Sequence, residues 1–412
     1  MLKLWRRRHK KSPVVRIDFL VNFRPVKTAL RTHGFTESVI RGMTRLANEH
    51  GAINLAQGFP NFPAPEILKE AAVRAIRDDV NQYAITWGTK RLRDALARKY
   101  GEWYGMRVDP DADIVVTCGG TEAMAAALLA IVDPGDEVIV FEPFYENYGP
   151  DAILCGARPV YVPMPVSEEL DLERLAAAFS PRTRAIIVCT PNNPTGRVLT
   201  RRELEAIAEL CRRHGAYAVT DEIYEHIYYD GTHIPIATLD GMRDRTITIS
   251  GASKTFSVTG WRIGTIVAPR AAADAIRKVH DFLTVGAPAP LQEAVAVGLE
   301  QLPRSYYDDL ARDYRSRRDV LHSALVAAGF RCARPQGAYY ILADFSELSD
   351  LPDDEFSTWL TREVGVAPVP GSSFFSAPRL GRSLVRFAFC KTEDQLREAG
   401  VRLAGVRARA AR

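Results

Sequence analysis

Between residues 110 and 270, short β-branched runs alternate with segments of helical periodicity, and this alternation limits the fold more than any other feature of the sequence. Strands that alternate with helices form a mostly parallel sheet whose two faces the helices cover. Such strands are buried on both faces, so they appear as continuous apolar runs. We therefore predict an α/β fold with strands at DIVVT (113–117), VIVF (138–141), AIIVCT (185–190), AYAVTDE (216–222) and TITIS (246–250).

One of the intervening helices has clear signals at both ends. Thr200 is followed three residues later by Glu203, a spacing at which each side chain can bond the other residue's backbone amide. Gly215 ends the helix RRELEAIAELCRRHG, because glycine readily takes the left-handed conformation found after a last turn. Another helix is predicted in GGTEAMAAALLAIV, directly after the first strand. Both helices return the chain to the start of the next strand, as parallel strands require.

After about residue 290 the pattern changes. A long helical stretch at 291–328 is followed by AYYILADF, a second helix near 354–363 and the strand-like run SLVRFAFC. Helices and strands grouped in this way are typical of an α+β unit. We therefore predict four parts: an N-terminal basic extension (1–35), a segment that packs with the small domain (36–60), a large domain (61–290) and a small C-terminal domain (291–412).

The charge of the chain is concentrated at its start. Six of the 54 Lys and Arg lie in the first eleven residues, MLKLWRRRHKK, where there is no acid. The other 48 are balanced by 50 Asp and Glu, which leaves the remaining chain with a net charge of −2. A nucleic-acid-binding domain would carry a basic surface, so we expect no nucleic-acid partner. We interpret the basic segment as a solvated tail rather than an RNA- or membrane-binding arm.

The cysteines and the apolar segments exclude further classes of protein. The six cysteines are widely separated and form no Cys-x-x-Cys pair, so we expect reduced thiols and no metal site. No apolar stretch approaches the roughly 18 residues of a membrane span. Arg16, Asp18 and Arg24 interrupt the segment in which a secretory signal would have its apolar region. We expect a cytoplasmic protein without a membrane partner.

Glycine-rich or polar segments follow four of the predicted strands. In α/β sheets, ligands bind beyond the carboxyl ends of the strands, so these segments are expected to meet at one site. In the last of them, Lys254 is surrounded by small and hydroxylated residues, which a solvated surface lysine does not need. The segments are TCGGTEA (117–123), TPNNPTG (190–196), TDEIY (220–224) and SGASKTFSVTGWRIG (250–264).

This combination of groups suits pyridoxal 5′-phosphate. Lys254 supplies an amine for covalent attachment, and Asp221 keeps the pyridine nitrogen protonated so that the ring can withdraw electrons. The amides at a helix start that contains Gly120 favour a phosphate group. Tyr224 and Asn193 are expected to hydrogen-bond the ring oxygen.

An arginine and a serine are expected to complete the phosphate site. Arg262 follows the lysine by eight residues and can bind phosphate through two parallel hydrogen bonds. The hydroxyl partner is either Ser253 or Ser250, and the sequence does not decide between them.

Nine motifs in order make the chain resemble the class I/II aminotransferases of fold type I, from about residue 36 onward. Within that family, the chain resembles the branch of kynurenine, glutamine and methionine aminotransferases. The motifs are INLAQGFPNFPAP (53–65), NQYAITWGTKRLRDALARKY (81–100), TCGGTEA, EPFYENY (142–148), TPNNPTG, TDEIY, SKTFSVTGWRIG, PQGAYYILADF and LVRFAF.

The resemblance implies a large cofactor-binding domain with a mostly parallel seven-stranded sheet and a smaller α+β domain. It implies that Lys254 is the catalytic lysine that moves the proton and that Asp221 pairs with the pyridine nitrogen. Tyr224 and Asn193 would contact the ring oxygen, while Gly120 and Thr121 would offer backbone amides to the phosphate. Tyr145 would stack on the pyridine ring, with Phe144 as the alternative. Family members often have a serine where this chain has Gly251.

The resemblance also assigns the substrate contacts. Arg386 would bind the α-carboxylate of the substrate, with help from Asn193 and from the backbone at Gly58. Tyr83 would reach the phosphate of the neighbouring subunit, which implies a homodimer with shared active sites. The substrates would be an amino acid and a 2-oxo acid that react in a ping-pong sequence.

The side-chain pocket is expected to prefer neutral or aromatic donors to aspartate. The stretch LTVGAPAPL (283–291), where family members that bind dicarboxylic acids often have a cation, carries no charge. Lys90 or Arg91 is the alternative source of such a cation. β-Elimination on cysteine conjugates and a specialised biosynthetic reaction are the competing enzymatic hypotheses. A ligand-sensing regulator would need an attached DNA-binding domain, for which the 35-residue extension is too short.

Overall fold

The computed structural model describes residues 27–410, so the basic segment MLKLWRRRHKK and most of the predicted extension lie outside the described residues. The helices are α1 (Val39–Glu49), α2 (Glu66–Arg77), α3 (Lys90–Tyr104), α4 (Gly120–Ile131), α5 (Tyr148–Leu154), α6 (Leu172–Ala178), α7 (Arg201–His214), α8 (Ala252–Thr255), α9 (Arg270–Thr284), α10 (Ala289–Gln301), α11 (Arg304–Ala328), α12 (Asp353–Trp359), α13 (Glu393–Leu403) and α14 (Val406–Ala410).

The strands are β1 (Ile53–Asn54), β2 (Ile114–Thr117), β3 (Glu137–Glu142), β4 (Arg158–Pro163), β5 (Thr183–Cys189), β6 (Tyr217–Asp221), β7 (Thr246–Gly251), β8 (Gly264–Val267), β9 (Arg331–Cys332), β10 (Tyr340–Asp344), β11 (Val366–Ala367), β12 (Val369–Pro370) and β13 (Leu384–Ala388). All five strands predicted from the sequence are present, with ends that differ by one or two residues. The capping box of Thr200 and Glu203 is also present, and Gly215 is left-handed at the end of α7.

Seven strands form the main sheet in the order β2-β8-β7-β6-β5-β3-β4. The pairs β3–β4, β3–β5, β5–β6 and β6–β7 are parallel, and only β8 runs antiparallel to both of its neighbours. Apolar residues of the central strands are buried on both faces, between two layers of helices. The prediction of an α/β fold with a mostly parallel seven-stranded sheet is confirmed.

A second, four-stranded antiparallel sheet has the order β12-β13-β10-β9. Its apolar side chains form one core with those of α11, α12 and α13. The N-terminal segment reaches this part of the molecule, because β1 pairs with β11 in parallel register, with Ile53 opposite Val366. The domain boundaries given above stay predictions.

The expected single helical stretch at 291–328 is wrong, because the structure has two helices there, α10 and α11. Pro303 lies between them, and a proline lacks an amide and disfavours a helical conformation in the residue before it. Helix α10 packs against α2 and α3, whereas α11 packs against α13. No helix within residues 27–410 is long and apolar enough to cross a membrane.

Candidate active site

The four segments predicted to meet at one site follow strands that point the same way. β5, β6 and β7 are parallel, and β2 shares their direction because β2 and β7 are both antiparallel to β8. The chain therefore leaves all four strands at one edge of the sheet. This edge brings together the glycine-rich turn after β2, the asparagine turn after β5, Asp221 at the end of β6 and Lys254 just after β7.

Lys254 is partly buried on the short helix α8. Its Nζ donates to the carbonyl oxygen of Gly58 at 3.0 Å and lies 5.7 Å from the ring centre of Tyr339. The hydroxyl of Tyr339 donates to the same carbonyl at 2.9 Å. Burial lowers the pKa of Lys254 from 10.5 to about 8, with a smaller contribution from the charge of Arg262. The neutral amine is therefore much more populated near physiological pH than in an ordinary lysine.

Asp221 lies at the bottom of the site, and its carboxylate has hydrogen bonds but no cationic partner at ion-pair distance among residues 27–410. Its Oδ2 accepts from the hydroxyl of Tyr148 at 2.6 Å, and its Oδ1 accepts from the amide of Ile223 at 3.2 Å. Burial raises the pKa of Asp221, while the bond from Tyr148 acts in the opposite direction. A cation placed against this carboxylate would stabilise its charged form.

Tyr224 and Asn193 lie between Asp221 and the small sheet. The hydroxyls of Tyr224 and Tyr340 are 3.0 Å apart, and both residues are buried. Burial raises the pKa of Tyr224 well above its usual value, so this phenol stays protonated. Asn193 accepts at Oδ1 from Nη1 of Arg386 at 2.9 Å. A direct hydrogen bond therefore joins Asn193, one of the two predicted ring-oxygen contacts, to Arg386, the predicted carboxylate contact.

Arg386 is fully buried on β13, at 0% exposure. Besides its bond to Asn193, its Nη2 donates to the carbonyl of Ala56 at 2.5 Å, and its Nε has no hydrogen-bond partner among the described residues. The guanidinium lies over the rings of Tyr340 and Phe374, at 4.3 and 4.9 Å from their centres. Within residues 27–410 no carboxylate pairs with it. A buried guanidinium without an anion is costly, which is typical of a site that receives an anionic ligand.

The glycine-rich turn brings backbone amides and an arginine together. Gly120 and Thr121 are the first two residues of α4, whose first amides have no acceptor within the helix. Gly119 precedes them with φ of +87°, and a Cβ there would lie 2.2 Å from Nη2 of Arg262. Gly264 closes the turn from the neighbouring strand, where a Cβ would lie 2.3 Å from the carbonyl carbon of Gly119. Glycine is needed at both positions, because a side chain would keep Arg262 from approaching the turn and would keep the turn from approaching the neighbouring strand.

The structure distinguishes between the two serines near the lysine. The hydroxyl of Ser250 donates to Glu225, which also pairs with Lys99. Ser250 is therefore already bound within the interior. Ser253 lies on α8 beside Lys254, which favours it as the hydroxyl partner of a phosphate. At Gly251 a Cβ would lie 2.7 Å from the carbonyl of Ile263, so this strand spacing leaves no room for a serine there.

Tyr145 and Phe144 point to different surroundings. Phe144 is buried and stacks on Tyr161, with ring centres 5.4 Å apart. Tyr145 is partly exposed and lies edge-on to Tyr148, the residue bound to Asp221, at 5.7 Å. The geometry favours Tyr145 as the residue at the cofactor position. Tyr83 is 85% exposed and lies on the surface of the chain.

Sequence reasoning missed Tyr148, Tyr339, Tyr340 and Lys391. Three of the four occur inside motifs used above, EPFYENY and PQGAYYILADF, and Lys391 follows SLVRFAFC directly. Their residue types gave no signal, because tyrosines and lysines are common in pocket walls and on surfaces. Only their hydrogen bonds to Asp221, Gly58, Tyr224 and the backbone of residues 57–59 identify them.

The residues present fit pyridoxal 5′-phosphate, although no cofactor is observed. The carboxylate of Asp221 has no cationic partner in the described part of the chain, and a protonated pyridine nitrogen would supply one. The amine of Lys254 has a lowered pKa, as a nucleophile requires. The amides at the start of α4 and the guanidinium of Arg262 suit a phosphate dianion.

Three known proteins have sequences similar to this chain over most of its length. The chain is 40% identical to a probable N-succinyldiaminopimelate aminotransferase of Mycobacterium tuberculosis, over 91% of this chain and 98% of the relative. It is 38% identical to human kynurenine–oxoglutarate transaminase 1, over 85% and 92% of the two chains. It is also 38% identical to the methionine aminotransferase of Escherichia coli, over 89% and 95%. All three relatives are matched over nearly their whole length.

Solved structures show the same similarity. The N-succinyldiaminopimelate aminotransferase of Mycobacterium tuberculosis superposes with a TM-score of 0.89, over 92% of this chain and 100% of that chain, at 40% identity. The aspartate aminotransferase of Thermus thermophilus with maleate superposes with a TM-score of 0.87, over 93% and 100% of the chains, at 35% identity. Residues 50–403 match the family described as aminotransferase class I and II. This chain therefore belongs to the class I and II aminotransferases.

Proposed function

We propose that this aminotransferase moves the amino group of a neutral or aromatic L-amino acid to a 2-oxo acid by a ping-pong mechanism. Membership of the family implies pyridoxal 5′-phosphate as the cofactor. When bound, the cofactor supplies an electron sink for the negative charge that develops at the substrate Cα. The roles assigned below to individual residues are part of the proposal.

The cofactor end of the site is proposed to use four kinds of contact. Asp221, held by Tyr148, pairs with the pyridine nitrogen. Tyr224 donates to the ring oxygen, while Tyr145 covers one face of the ring. The phosphate is bound by the amides of Gly120 and Thr121 and by the side chains of Ser253 and Arg262.

The substrate end is proposed to centre on Arg386. Its buried guanidinium binds the α-carboxylate. Asn193 accepts a hydrogen bond from Nη1 of the same guanidinium and so holds it in position. Gly58 contributes its backbone next to Lys254. Because the α-carboxylate is common to donor and acceptor, both half-reactions use the same contacts.

Lys254 is proposed to move the proton. Burial lowers the pKa of its amine to about 8, so the amine can both accept and release a proton near neutral pH. It accepts the proton from the substrate Cα and returns it during the transfer. Tyr339, which is buried beside it and bonds the same carbonyl of Gly58, helps to exclude water from this step.

One observation carries the preference for neutral donors. Lys90 and Arg91, the two cations named as alternative partners for a distal carboxylate, are both engaged elsewhere. Lys90 pairs with Asp94 at 2.5 Å, and Arg91 pairs with Glu300 at 2.7 Å and with Glu293 at 3.5 Å. The stretch LTVGAPAPL carries no charge. A second substrate carboxylate would therefore lose its solvation without gaining a cation from these positions.

A homodimer with shared sites is proposed from an exposed apolar surface. Tyr83, Ile85, Phe282, Leu283 and Val285 are 46–92% exposed. The two stretches are joined, because Thr86 donates to Asp281 at 2.9 Å and its carbonyl oxygen lies 2.9 Å from Nε2 of His280. An apolar surface of this kind favours burial against a second chain. Tyr83 would then reach the phosphate of the partner subunit.

The test is a half-reaction screen on the purified holoenzyme. Methionine, glutamine, phenylalanine, leucine, kynurenine, aspartate and N-succinyldiaminopimelate are each mixed with it, and the absorbance change of the bound cofactor gives kcat/KM. The neutral and aromatic donors should react fastest. Aspartate and N-succinyldiaminopimelate carry further carboxylates. The highest kcat/KM for either of them would contradict the proposal. A cysteine conjugate is added to the screen, and release of ammonia and its thiol from that substrate without an oxo acid would instead indicate β-elimination.

A further inference from the structure

Lys391 has no part in the proposed chemistry, and it is buried next to the site. It follows β13, which carries Arg386, and is 3% exposed. Its Nζ donates to the carbonyl of Phe59 at 2.9 Å and to that of Gln57 at 3.4 Å. The same nitrogen lies 3.9 Å from the ring centre of Phe59. All of these contacts go to one short segment of the chain.

The partners of Lys391 are carbonyls and a ring rather than a carboxylate. Removal of an ammonium group from water is unfavourable, and burial lowers the pKa of Lys391 accordingly. A methionine or leucine would fill the same space without this cost. The hydrogen bonds of Lys391 to the backbone are therefore what distinguishes it from an apolar residue at this position.

The segment that Lys391 binds is the turn Ala56–Phe59, and basic side chains bind each of its four carbonyls. Arg386 binds the carbonyl of Ala56, and Lys254 binds that of Gly58. Lys391 binds the other two. Arg386 and Lys254 are the groups proposed to take up the substrate carboxylate and the cofactor, so their bonds to the turn compete with ligands. The bonds from Lys391 do not.

A second set of contacts ties the same region to the chain after β13. The amide of Thr392 donates to Oδ1 of Asn61 at 2.8 Å, and Asn61 in turn donates to Oε1 of Gln395 at 2.9 Å. These bonds are exposed, whereas those of Lys391 are mostly shielded from water. Water competes strongly with exposed hydrogen bonds, so Lys391 contributes more to holding the turn.

We propose that Lys391 is a positioning residue for substrate binding, which keeps the turn Ala56–Phe59 at the site when substrate and cofactor engage Arg386 and Lys254. The inference rests on the proposed function, because it assumes that Arg386 binds the α-carboxylate. Gly58 then stays next to the carboxylate in both half-reactions. The effect of Lys391 is therefore the same for every donor and acceptor, whatever their side chains.

The experiment compares Lys391→Met, which keeps the length of the side chain and removes its donors, with Lys391→Arg, which keeps them. In the holoenzyme, Lys391→Met should raise KM about tenfold for both an amino acid and an oxo acid, while kcat changes by less than about threefold. Lys391→Arg should recover most of the loss. The affinity of the cofactor-free protein for pyridoxal 5′-phosphate should be unchanged in both variants.

Hydrogen–deuterium exchange on the cofactor-free protein gives a readout that does not depend on activity. Lys391→Met should speed exchange in residues 53–62 and leave the strands of the main sheet unchanged. Gln395→Ala, which removes an exposed tie to the same region, is the matched control and should leave KM at the wild-type value. If Lys391→Met does not fold, Lys391→Gln should give a smaller increase of KM in the same direction.

Unchanged KM in Lys391→Met or Lys391→Gln overturns the inference, as does faster exchange spread over the whole chain. Arg386→Ala separates this result from a failure of the proposed function. If Arg386→Ala raises KM and the Lys391 variants do not, only the inference about Lys391 is wrong. If Arg386→Ala leaves KM unchanged, the assignment of the carboxylate site is wrong, and the inference about Lys391 is then wrong as well.

Discussion

The hydroxyl of Tyr148 donates to Oδ2 of Asp221 at 2.6 Å, and this is the only side chain among the described residues that hydrogen-bonds the carboxylate. Because the bond favours the charged form, its removal should raise the pKa of Asp221 further. A hydrogen bond to a charged group contributes about 1.5–3 kcal/mol, so Tyr148→Phe should lower kcat/KM by about tenfold or more. Steady-state kinetics and cofactor titration of the purified variant provide the measurement.

Tyr161→Phe is the matched control, because Tyr161 packs on Phe144 in the core rather than on Asp221. It should keep the kinetics of the wild type. Equal losses in the two variants would show that Tyr148 acts only through packing.

Lys254→Ala should abolish turnover while the protein still binds pyridoxal 5′-phosphate. An alanine offers no amine for attachment and none to move the Cα proton, whereas the amides of α4 and Arg262 stay in place for the phosphate. Single-turnover absorbance with methionine measures the chemical step, and equilibrium dialysis measures cofactor binding. Transamination at a rate near that of the wild type would refute the assigned role of Lys254.

The uptake of cofactor by the cofactor-free protein should depend on pH through Lys254. Burial lowers the pKa of Lys254 from 10.5 to about 8, and the neutral amine is the nucleophile. The second-order rate of uptake should therefore rise with a midpoint near pH 8 and level off about one pH unit higher, as stopped-flow absorbance can show. A midpoint near the ordinary value of 10.5 would contradict the assignment.

The same shift affects stability in a defined direction. The folded protein releases the proton of Lys254 near pH 8, whereas the unfolded chain keeps it up to about 10.5. The unfolded state therefore binds more protons between pH 8 and 10.5. As the pH rises through this window, the free energy of unfolding increases, so the folded protein becomes more stable. Lys254→Met should lose this contribution in urea titrations of the cofactor-free protein.

Arg386→Ala should weaken binding of every amino and oxo acid and leave the absorbance spectrum of the bound cofactor intact. Loss of a charge-assisted pair in a dry site costs about 2–5 kcal/mol, which corresponds to a fall in kcat/KM of at least about thirtyfold. Arg386→Lys keeps the charge but loses the two-pronged geometry, so it should recover only part of the activity. Kinetics equal to those of the wild type would show that another group binds the carboxylate.

The sequence predicted five of the seven strands of the main sheet, because each of these five is a short β-branched run that ends in glycine or polar residues. It missed two strands, the four-residue β8 and β4. β4 has the sequence RPVYVP, and two prolines argue against a strand. The structure places β4 at the edge of the sheet, where missing amide donors are tolerated. The break between α10 and α11 was missed because apolar spacing continues on both sides of Pro303.

The candidate site likewise contains some residues that the sequence could predict and others that it could not. Lys254, Asp221 and Asn193 were found because they follow strand ends, which the fold class brings to one edge. Tyr148 is 73 residues from Asp221, and Tyr340 is 116 residues from Tyr224, so no local pattern could connect them. Lys391 was missed for a further reason, since a lysine after a strand usually lies on the surface.

If Arg386 binds the substrate carboxylate, as proposed, the substrate is part of the electrostatic balance around the four-stranded sheet. Its guanidinium is fully buried between Tyr340 and Phe374, and no carboxylate within residues 27–410 compensates its charge. A mutation that placed an acid there would relieve this cost and raise the melting temperature, yet it would compete with every substrate. The sequence that binds substrate and the sequence that would give the most stable fold therefore differ at this arginine.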